Sequence, residues 1–198
     1  MREFLIVLFA LALFGTANTH AAERSTNWAT RVEQEGLPNL HRVSTNLYRC
    51  AQPTAAGLQA AEKLGIKTVI SLRAFHSDKD EVESTTLRTE RIRFNTWHPE
   101  DEDVIRFLQL VSNTNNGPYL IHCLHGADRT GTMIAIHRLA FEGWTKQEAI
   151  KEMTTGGFGY HTVWRNLIKY LNELDVEKLK KKAGLTAQQL SSHVGKRR

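Results

Sequence analysis

The spacing of apolar residues along this chain changes period several times, and each change marks an element. Val104, Phe107, Leu108 and Val111 recur at i, i+3, i+4 and i+7, the stripe of an amphipathic helix from about Asp101 to Ser112. Trp164, Leu167, Ile168 and Leu171 repeat that spacing and define a last amphipathic helix. Thr145 and Glu148 form a capping-box pattern ahead of Ala149, Ile150 and Met153, and Pro53 with Thr54 opens a helix that Gly65 closes. Asp80 to Thr89 is a weaker helical stretch. Short runs rich in branched or aromatic residues lie between them, at Asn46 to Arg49, Lys67 to Leu72, Arg91 to Asn95 and Tyr119 to His122. These read as strands.

Strands alternating with helices predict an α/β three-layer sandwich, a mainly parallel central sheet flanked by helices. Thr130 to Phe141 is apolar nearly all round, through Met133, Ile134, Ala135, Ile136, Leu139 and Ala140. Such a helix belongs in the middle of a domain. No repeat or low-complexity linker interrupts residues 27 to 175, so they form one unit.

Composition alters this picture only at the ends. With 41% hydrophobic and 24% charged content, the 198 residues fall in the ordinary globular class. Phe4 to Phe14 is an unbroken apolar run behind Met1 and Arg2, followed by small and polar residues. This is the pattern of a secretory signal peptide, with cleavage expected after Ala21 and Ala17 as a second possibility. The alternative, an uncleaved anchor, needs about 20 apolar residues, so no stable membrane insertion is expected after cleavage. The division is therefore 1–21 signal peptide, 22–175 folded domain and 176–198 basic tail. Much of the net charge of +5 sits in that tail, which reads as solvated and partly frayed. No aromatic residues interleave its charges, so no nucleic-acid partner is expected.

The chemistry sits between a buried strand ending at His122 and the buried helix that follows. Ligands of open α/β sheets gather at the carboxyl ends of the strands, and a helix start offers unpaired N–H groups to an anion. Gly126 lets the loop curl closely. Leu124, His125, Gly126, Ala127, Asp128 and Arg129 would wrap a phosphate, with Arg129 supplying a planar fork for two of its oxygens. Cys123 stands at the mouth of this electropositive cradle, which favours the nucleophilic thiolate. Thr130 is placed to donate its hydroxyl to the Cys123 sulfur, and His122 to orient the loop. A buried inert cysteine beside a surface arginine would explain neither the glycine nor the strand-loop-helix context.

HCLHGADRTG, residues 122 to 131, resembles the signature of cysteine-dependent protein tyrosine and dual-specificity phosphatases. NLYRCAQP, KTVISLR, GPYLIHC and GWTKQEAIKEMTTGGFG are similar to segments of the small exported bacterial members of that family. The resemblance implies a dual-specificity-phosphatase-like fold, a phosphocysteine mechanism and neither metal nor cofactor. It also implies a periplasmic or otherwise exported location and phosphoprotein or phosphopeptide substrates, with small phosphate esters possible.

Family members draw a general acid from an aspartate on a nearby loop. Glu100, Asp101 and Asp103 in WHPEDEDV are the candidates here, Asp101 foremost, although Asp101 also stands where a helix N-cap belongs. Asp128 is the second choice for the acid, and could equally brace the loop. Cys50 is either a resolving thiol for Cys123 or a small core residue. The loop contains no lysine, which favours phosphotyrosine, with phosphoserine or phosphothreonine, over an inositol phosphate or phosphoinositide. A phosphate-binding module without turnover and a rhodanese-like sulfurtransferase remain open as other classes.

Overall fold

The computed structural model describes residues 25–194, with side chains to 191. The apolar run 4–14 and the cleavage position after Ala21 lie outside the described residues. In chain order the elements are β1 (Thr30–Arg31), β2 (His41–Arg42), β3 (Leu47–Cys50), α1 (Ala55–Lys63), β4 (Thr68–Ser71), α2 (Lys79–Val82), β5 (Arg88–Arg91), α3 (Asp101–Ser112), β6 (Tyr119–His122), α4 (Asp128–Phe141), α5 (Lys146–Thr155), α6 (Arg165–Glu173), α7 (Val176–Lys182) and α8 (Ala187–Val194).

The sheet order is β1-β2-β3-β6-β4-β5. Its β3–β6, β6–β4 and β4–β5 pairings are parallel, and the hairpin-like β1–β2–β3 edge is antiparallel. Alternation along each strand feeds two cores. Ile70, Tyr119 and Ile121 point into the core under α3–α7, while Val69, Leu120 and Cys50 point into the smaller one under α1. The result is the three-layer α/β sandwich read from the sequence. Among the described residues, no helix is long and apolar enough to cross a membrane.

Local chemistry explains why the elements stop where they do. Thr54 caps α1 by accepting the Gly57 N–H at 3.0 Å, and the Thr145–Glu148 capping box is formed in full. α3 spans the expected residues, and its buried stripe is Val104, Phe107, Leu108 and Val111. α4 is buried on nearly every face, including Arg138, whose charge is met by Glu142 and Glu152. Gly131 lets α4 lie against α5, since a Cβ there would stand 2.8 Å from Met153 Cγ.

Three expectations are corrected. The helical stretch placed over Asp80 to Thr89 shrinks to α2, and Thr89 lies in β5. The strand expected at Arg91 to Asn95 is shifted earlier, because Arg88–Arg91 pairs with Thr68–Ser71 although its side chains are largely polar and exposed. Edge strands carry such a pattern, which periodicity does not flag. The basic stretch from 176 is not a frayed tail through Val194: Asp175 caps α7, and Leu179 and Ala183 are buried in the larger core. Its lysines at 180–182 are the polar face of an amphipathic helix.

Candidate active site

Parallel pairing sets Cys50 and Ser71 opposite His122, so the carboxyl ends of three strands meet where β6 gives way to its loop. Cys123 is the first residue of that loop and Arg129 the second of α4. Cys123 is buried, Leu124 and His125 are exposed, and Gly126, Ala127 and Asp128 are buried again. The loop thus dips into the protein after its rim. Gly126 has φ +67°, and a Cβ on it would fall 2.5 Å from the Cys50 carbonyl oxygen, so only glycine fits.

Each loop carbonyl is tied outward. Leu124 O accepts the Gln52 N–H at 3.1 Å, His125 O accepts from Asn39 Nδ2 at 3.1 Å, and Gly126 O accepts from Arg49 Nη2 at 2.7 Å. Ala127 O accepts the Gly131 N–H at 2.6 Å. In a trans peptide the C=O and the next N–H point in opposite directions. Pulling three successive carbonyls outward therefore turns the following amides inward, and the Ala127 carbonyl starts the hydrogen bonding of α4. Among the described residues, none of the N–H groups of residues 124–130 donates a hydrogen bond. Inward amides without partners at a helix start form an anion-binding nest.

The flank of the loop is braced by a chain of polar contacts. His122, fully buried, places Nε2 2.8 Å from Asp78 Oδ2 and Nδ1 3.4 Å from the Cys123 carbonyl oxygen. Gln52 donates from Nε2 to Asp78 Oδ1 at 2.9 Å and accepts from Arg73 Nη1 at 3.0 Å. Burial disfavours the Asp78 charge, yet the His122 bond and charge and the Gln52 bond outweigh it and hold this carboxyl at about 2. Arg129 donates from Nη1 to Leu72 O at 3.2 Å.

Beneath the loop lies Arg49, fully buried and stacked on Phe158 with its guanidinium carbon 3.8 Å from the ring centre. Nε and Nη1 have no hydrogen-bond partner among the described residues. The nearby Glu152 carboxylate is already held by Arg138 and the Ala29 N–H. Burial pushes Arg49 down to about 10, still well above neutrality, so a largely uncompensated cation sits under the nest.

The sequence-derived residues divide into those the fold gathers and those it sets apart. Residues 122–130 form the loop and helix start as read. Asp128 braces that loop, taking the His161 N–H on Oδ1 and facing His161 Nδ1 with Oδ2, both at 2.8 Å. Thr130 Oγ1 is buried without a hydrogen-bond partner among the described residues, so the bond expected to the Cys123 sulfur is not formed in this geometry. Asp101 is the first residue of α3 rather than its N-cap, a position held by Glu100, and Asp101 accepts from Tyr170 Oη at 3.1 Å. Burial, then Glu100 and Glu102, push the Asp103 carboxyl up. Trp97, next to this acidic cluster, is 65% exposed. Cys50 and Cys123 are free thiols that belong to cores on opposite faces of the sheet, and burial holds the Cys50 thiol well up. This favours the core reading of Cys50.

Arg49, Gln52, Asp78, Asn39 and His161 were not singled out in the sequence. Arg49 and Gln52 stood inside NLYRCAQP, but only topology shows that β3 runs beside β6 and delivers both to the loop.

Residues 21–163 match the family model of the DSP-PTPase phosphatase fused to NAD+ kinase. The chain belongs to the dual-specificity protein phosphatase family. It is 36% identical over 187 residues to the dual specificity protein phosphatase TpbA of Pseudomonas aeruginosa strain UCBPP-PA14, covering 91% of this chain and 83% of that one. The crystal structure of P. aeruginosa TpbA superimposes with TM-score 0.73 at 32% identity, over 82% of this chain and 99% of that one. A cysteine-to-serine variant of TpbA in complex with pTyr gives TM-score 0.73 at 32% identity, over 83% and 100%. The core catalytic domain of the PP-IP phosphatase SIW14 from S. cerevisiae shares the fold, with TM-score 0.63 at 19% identity over 77% and 96%. This dual-specificity phosphatase family member is accordingly a phosphoric monoester hydrolase.

Proposed function

We propose that this phosphatase hydrolyses phosphotyrosine, and also phosphoserine and phosphothreonine, on exported or envelope proteins through a phosphocysteine on Cys123. One observation carries the reading: three successive carbonyls, from Leu124 to Gly126, are anchored outward, which leaves the loop amides to an anion. In the first step the Cys123 sulfur forms a bond to phosphorus as the bond from phosphorus to the leaving oxygen breaks. A carboxylic acid, Asp101 in this reading, gives its proton to the leaving oxygen. In the second step water attacks phosphorus, the P–S bond breaks with its electron pair returning to sulfur, and the carboxylate takes the water's proton. Arg129 clamps the equatorial oxygens in both steps, and Arg49 adds fixed positive potential from below.

The complex of TpbA with pTyr supports a phosphotyrosine substrate. The loop side chains Leu124, His125, Ala127 and Asp128 add no lysine for further phosphates. The inositol phosphate reading keeps one supporting observation, a groove lined by Ala74, Phe75, Arg91, Arg93 and Asn95. It opens two residues past the Leu72 carbonyl that Arg129 bonds. Export rests on the apolar run 4–14 and the small residues that follow it.

The test is turnover of phosphotyrosine peptides, phosphothreonine peptides and inositol hexakisphosphate by the reduced protein lacking residues 1–21, beside Cys123→Ser. Phosphotyrosine peptides should give the highest kcat/KM. Cys123→Ser should lose turnover by several orders of magnitude yet still bind phosphotyrosine. Preference for the inositol phosphate, or substantial turnover by the serine variant, overturns the reading.

A further inference from the structure

On the outer rim of the loop, the fold brings together three side chains that stand far apart in the chain. His125, Asp128 and His161 each offer one ligand atom, and these atoms lie within 4.8 Å of one another. The geometry points to a binding site for one late first-row divalent ion, with Zn²⁺ its best-matched occupant, whose filling slows the phosphatase. Two imidazoles and one carboxylate suit Zn²⁺ far better than Ca²⁺ or Mg²⁺, which favour oxygen cages. No such ligand set is legible in the sequence, because His161 lies 33 residues from Asp128.

The carboxylate is prepared for the role. Asp128 Oδ1 is held by the His161 N–H at 2.8 Å, which fixes the group and leaves Oδ2 as the ligand oxygen. Zn²⁺ ligands at about 2.0–2.1 Å in a tetrahedron stand about 3.4 Å apart. The 2.8 Å separation of His161 Nδ1 and Asp128 Oδ2 must therefore open slightly, while the His125 ring swings in. Both rings reach solvent and lie near each other: His125 is exposed, the His161 side chain is 48% exposed, and their ring centres are 5.2 Å apart. The ion takes the place of the shared proton between Nδ1 and Oδ2, and for a neutral imidazole that proton moves to Nε2. A water completes the set from the solvent side.

The other grouping of this kind, His76, Asp78 and Glu81, is weaker, since both Asp78 oxygens are engaged by His122 and Gln52. At the His125 site the positive end of α4 opposes a cation. Affinity consequently depends on the Asp128 charge. One ligand belongs to the loop, one is the first residue of α4 and the third lies in the segment before α6, so a bound ion staples the rim to the body of the protein. Drawing His125 in toward Asp128 and His161 also pulls on a residue of the nest, so its amide leaves the position that meets the phosphoryl group.

The binding claim is independent of the proposed substrate, and only the inhibition rests on the phosphatase reading. Titration with Zn²⁺ against a chromophoric chelator, in a Cys123→Ser background that removes the competing thiolate, should give one ion per chain. His161→Ala should bind at least about tenfold more weakly. His161→Gln should do likewise while keeping a donor to Asp128, which separates ligand loss from loop collapse, and His76→Ala should bind as the parent does. Co²⁺ bound to the protein with Cys123 intact should show visible d–d bands without sulfur-to-metal charge transfer. In that protein, Zn²⁺ inhibition should be reversed by EDTA and weakened in His161→Gln relative to the variant's own metal-free rate. Unaltered affinity in both His161 variants, or sulfur-to-cobalt charge transfer, would overturn the site. Zn²⁺ inhibition that persists undiminished in His161→Gln would assign the effect to the Cys123 thiolate and sink the proposal equally.

Discussion

The cradle at residues 123–130 and the acidic segment at 95–103 sit over the same edge of the sheet but are held very differently. Long-range partners from the β1–β2 connection, β3 and the β3–α1 loop fasten the cradle, through Asn39, Arg49 and Gln52, to three of its carbonyls. Two bonds to α6 steady the acidic segment: Asn166 donates to Thr96 O at 2.6 Å and Tyr170 to Asp101 at 3.1 Å. Glu100 is exposed there, as is Trp97. An anion must be met by donors already in place, since reorganising them would consume the interaction they supply. A proton donor has to meet leaving groups of varied shape, and light fastening suits that task.

The largest effect that sharpens this contrast comes from Asp101→Asn set beside Asp128→Asn. Asp101→Asn should lower kcat on phosphotyrosine by roughly 10²-fold or more, the usual scale for a general acid. It should also remove the alkaline fall of kcat/KM, because an acid must be protonated to act and is lost as pH rises. Asp128→Asn should act on the cradle, raising KM and leaving the shape of the profile intact. Steady-state kinetics across pH decide between them. A normal profile in Asp101→Asn would move the role to Asp103, whose carboxyl is pushed up by burial, Glu100 and Glu102.

A smaller loss should follow from loosening one anchor of the cradle. Arg49→Met removes both the donor to Gly126 O and the buried cation, and kcat/KM should fall about 10- to 100-fold, equivalent to about 1.4–2.7 kcal/mol. Alkylation of Cys123 by iodoacetamide at neutral pH should slow in parallel. Arg49→Lys, which keeps the charge and one donor, should recover part of both. Stability should change little: leaving Gly126 O unpaired costs about 1–3 kcal/mol, offset by no longer burying a poorly partnered charge. A thermal melt that collapses along with activity would make Arg49 a core residue and nothing more.

The difference between the regions also governs what could be read from the sequence. Strand, loop and helix around Cys123 were legible because Gly126, Arg129 and the all-round apolar α4 impose local rules within a dozen residues. The six-stranded order was not, and with it went Arg49, Gln52 and Asp78. Their roles exist only once β3, β6 and β4 lie side by side. β5 was misplaced because an edge strand with exposed Arg88 and Arg91 carries no alternating apolar signal. α7 was missed because three lysines in a row masked Leu179, a single buried anchor on its other face. The start of α3 near Asp101 was legible, although its N-cap is Glu100 and not Asp101, but whether a carboxylate faces solvent or Tyr170 is decided by α6, about 70 residues on.

The smallest effect on turnover, and the one most specific to the bracing chain, concerns acid stability. Asp78 is held at about 2 in the fold, against about 4 for an unstructured aspartate. A carboxyl depressed on folding stabilises the native state fully above its unfolded value, and loses that contribution as pH falls through the folded one. The window is therefore pH 4 down to 2, and the contribution at stake is roughly 2 kcal/mol. Urea unfolding of the native protein should show this loss between those limits. Asp78→Asn, less stable at pH 6 because His122 loses its charged partner, should lack that share of the decline. The two stability curves should thus converge on acidification. Curves that stay parallel from pH 5 to 2 would mean that the charge of Asp78 is not what fastens His122, and the cradle would then owe its rigidity to the carbonyl anchors alone.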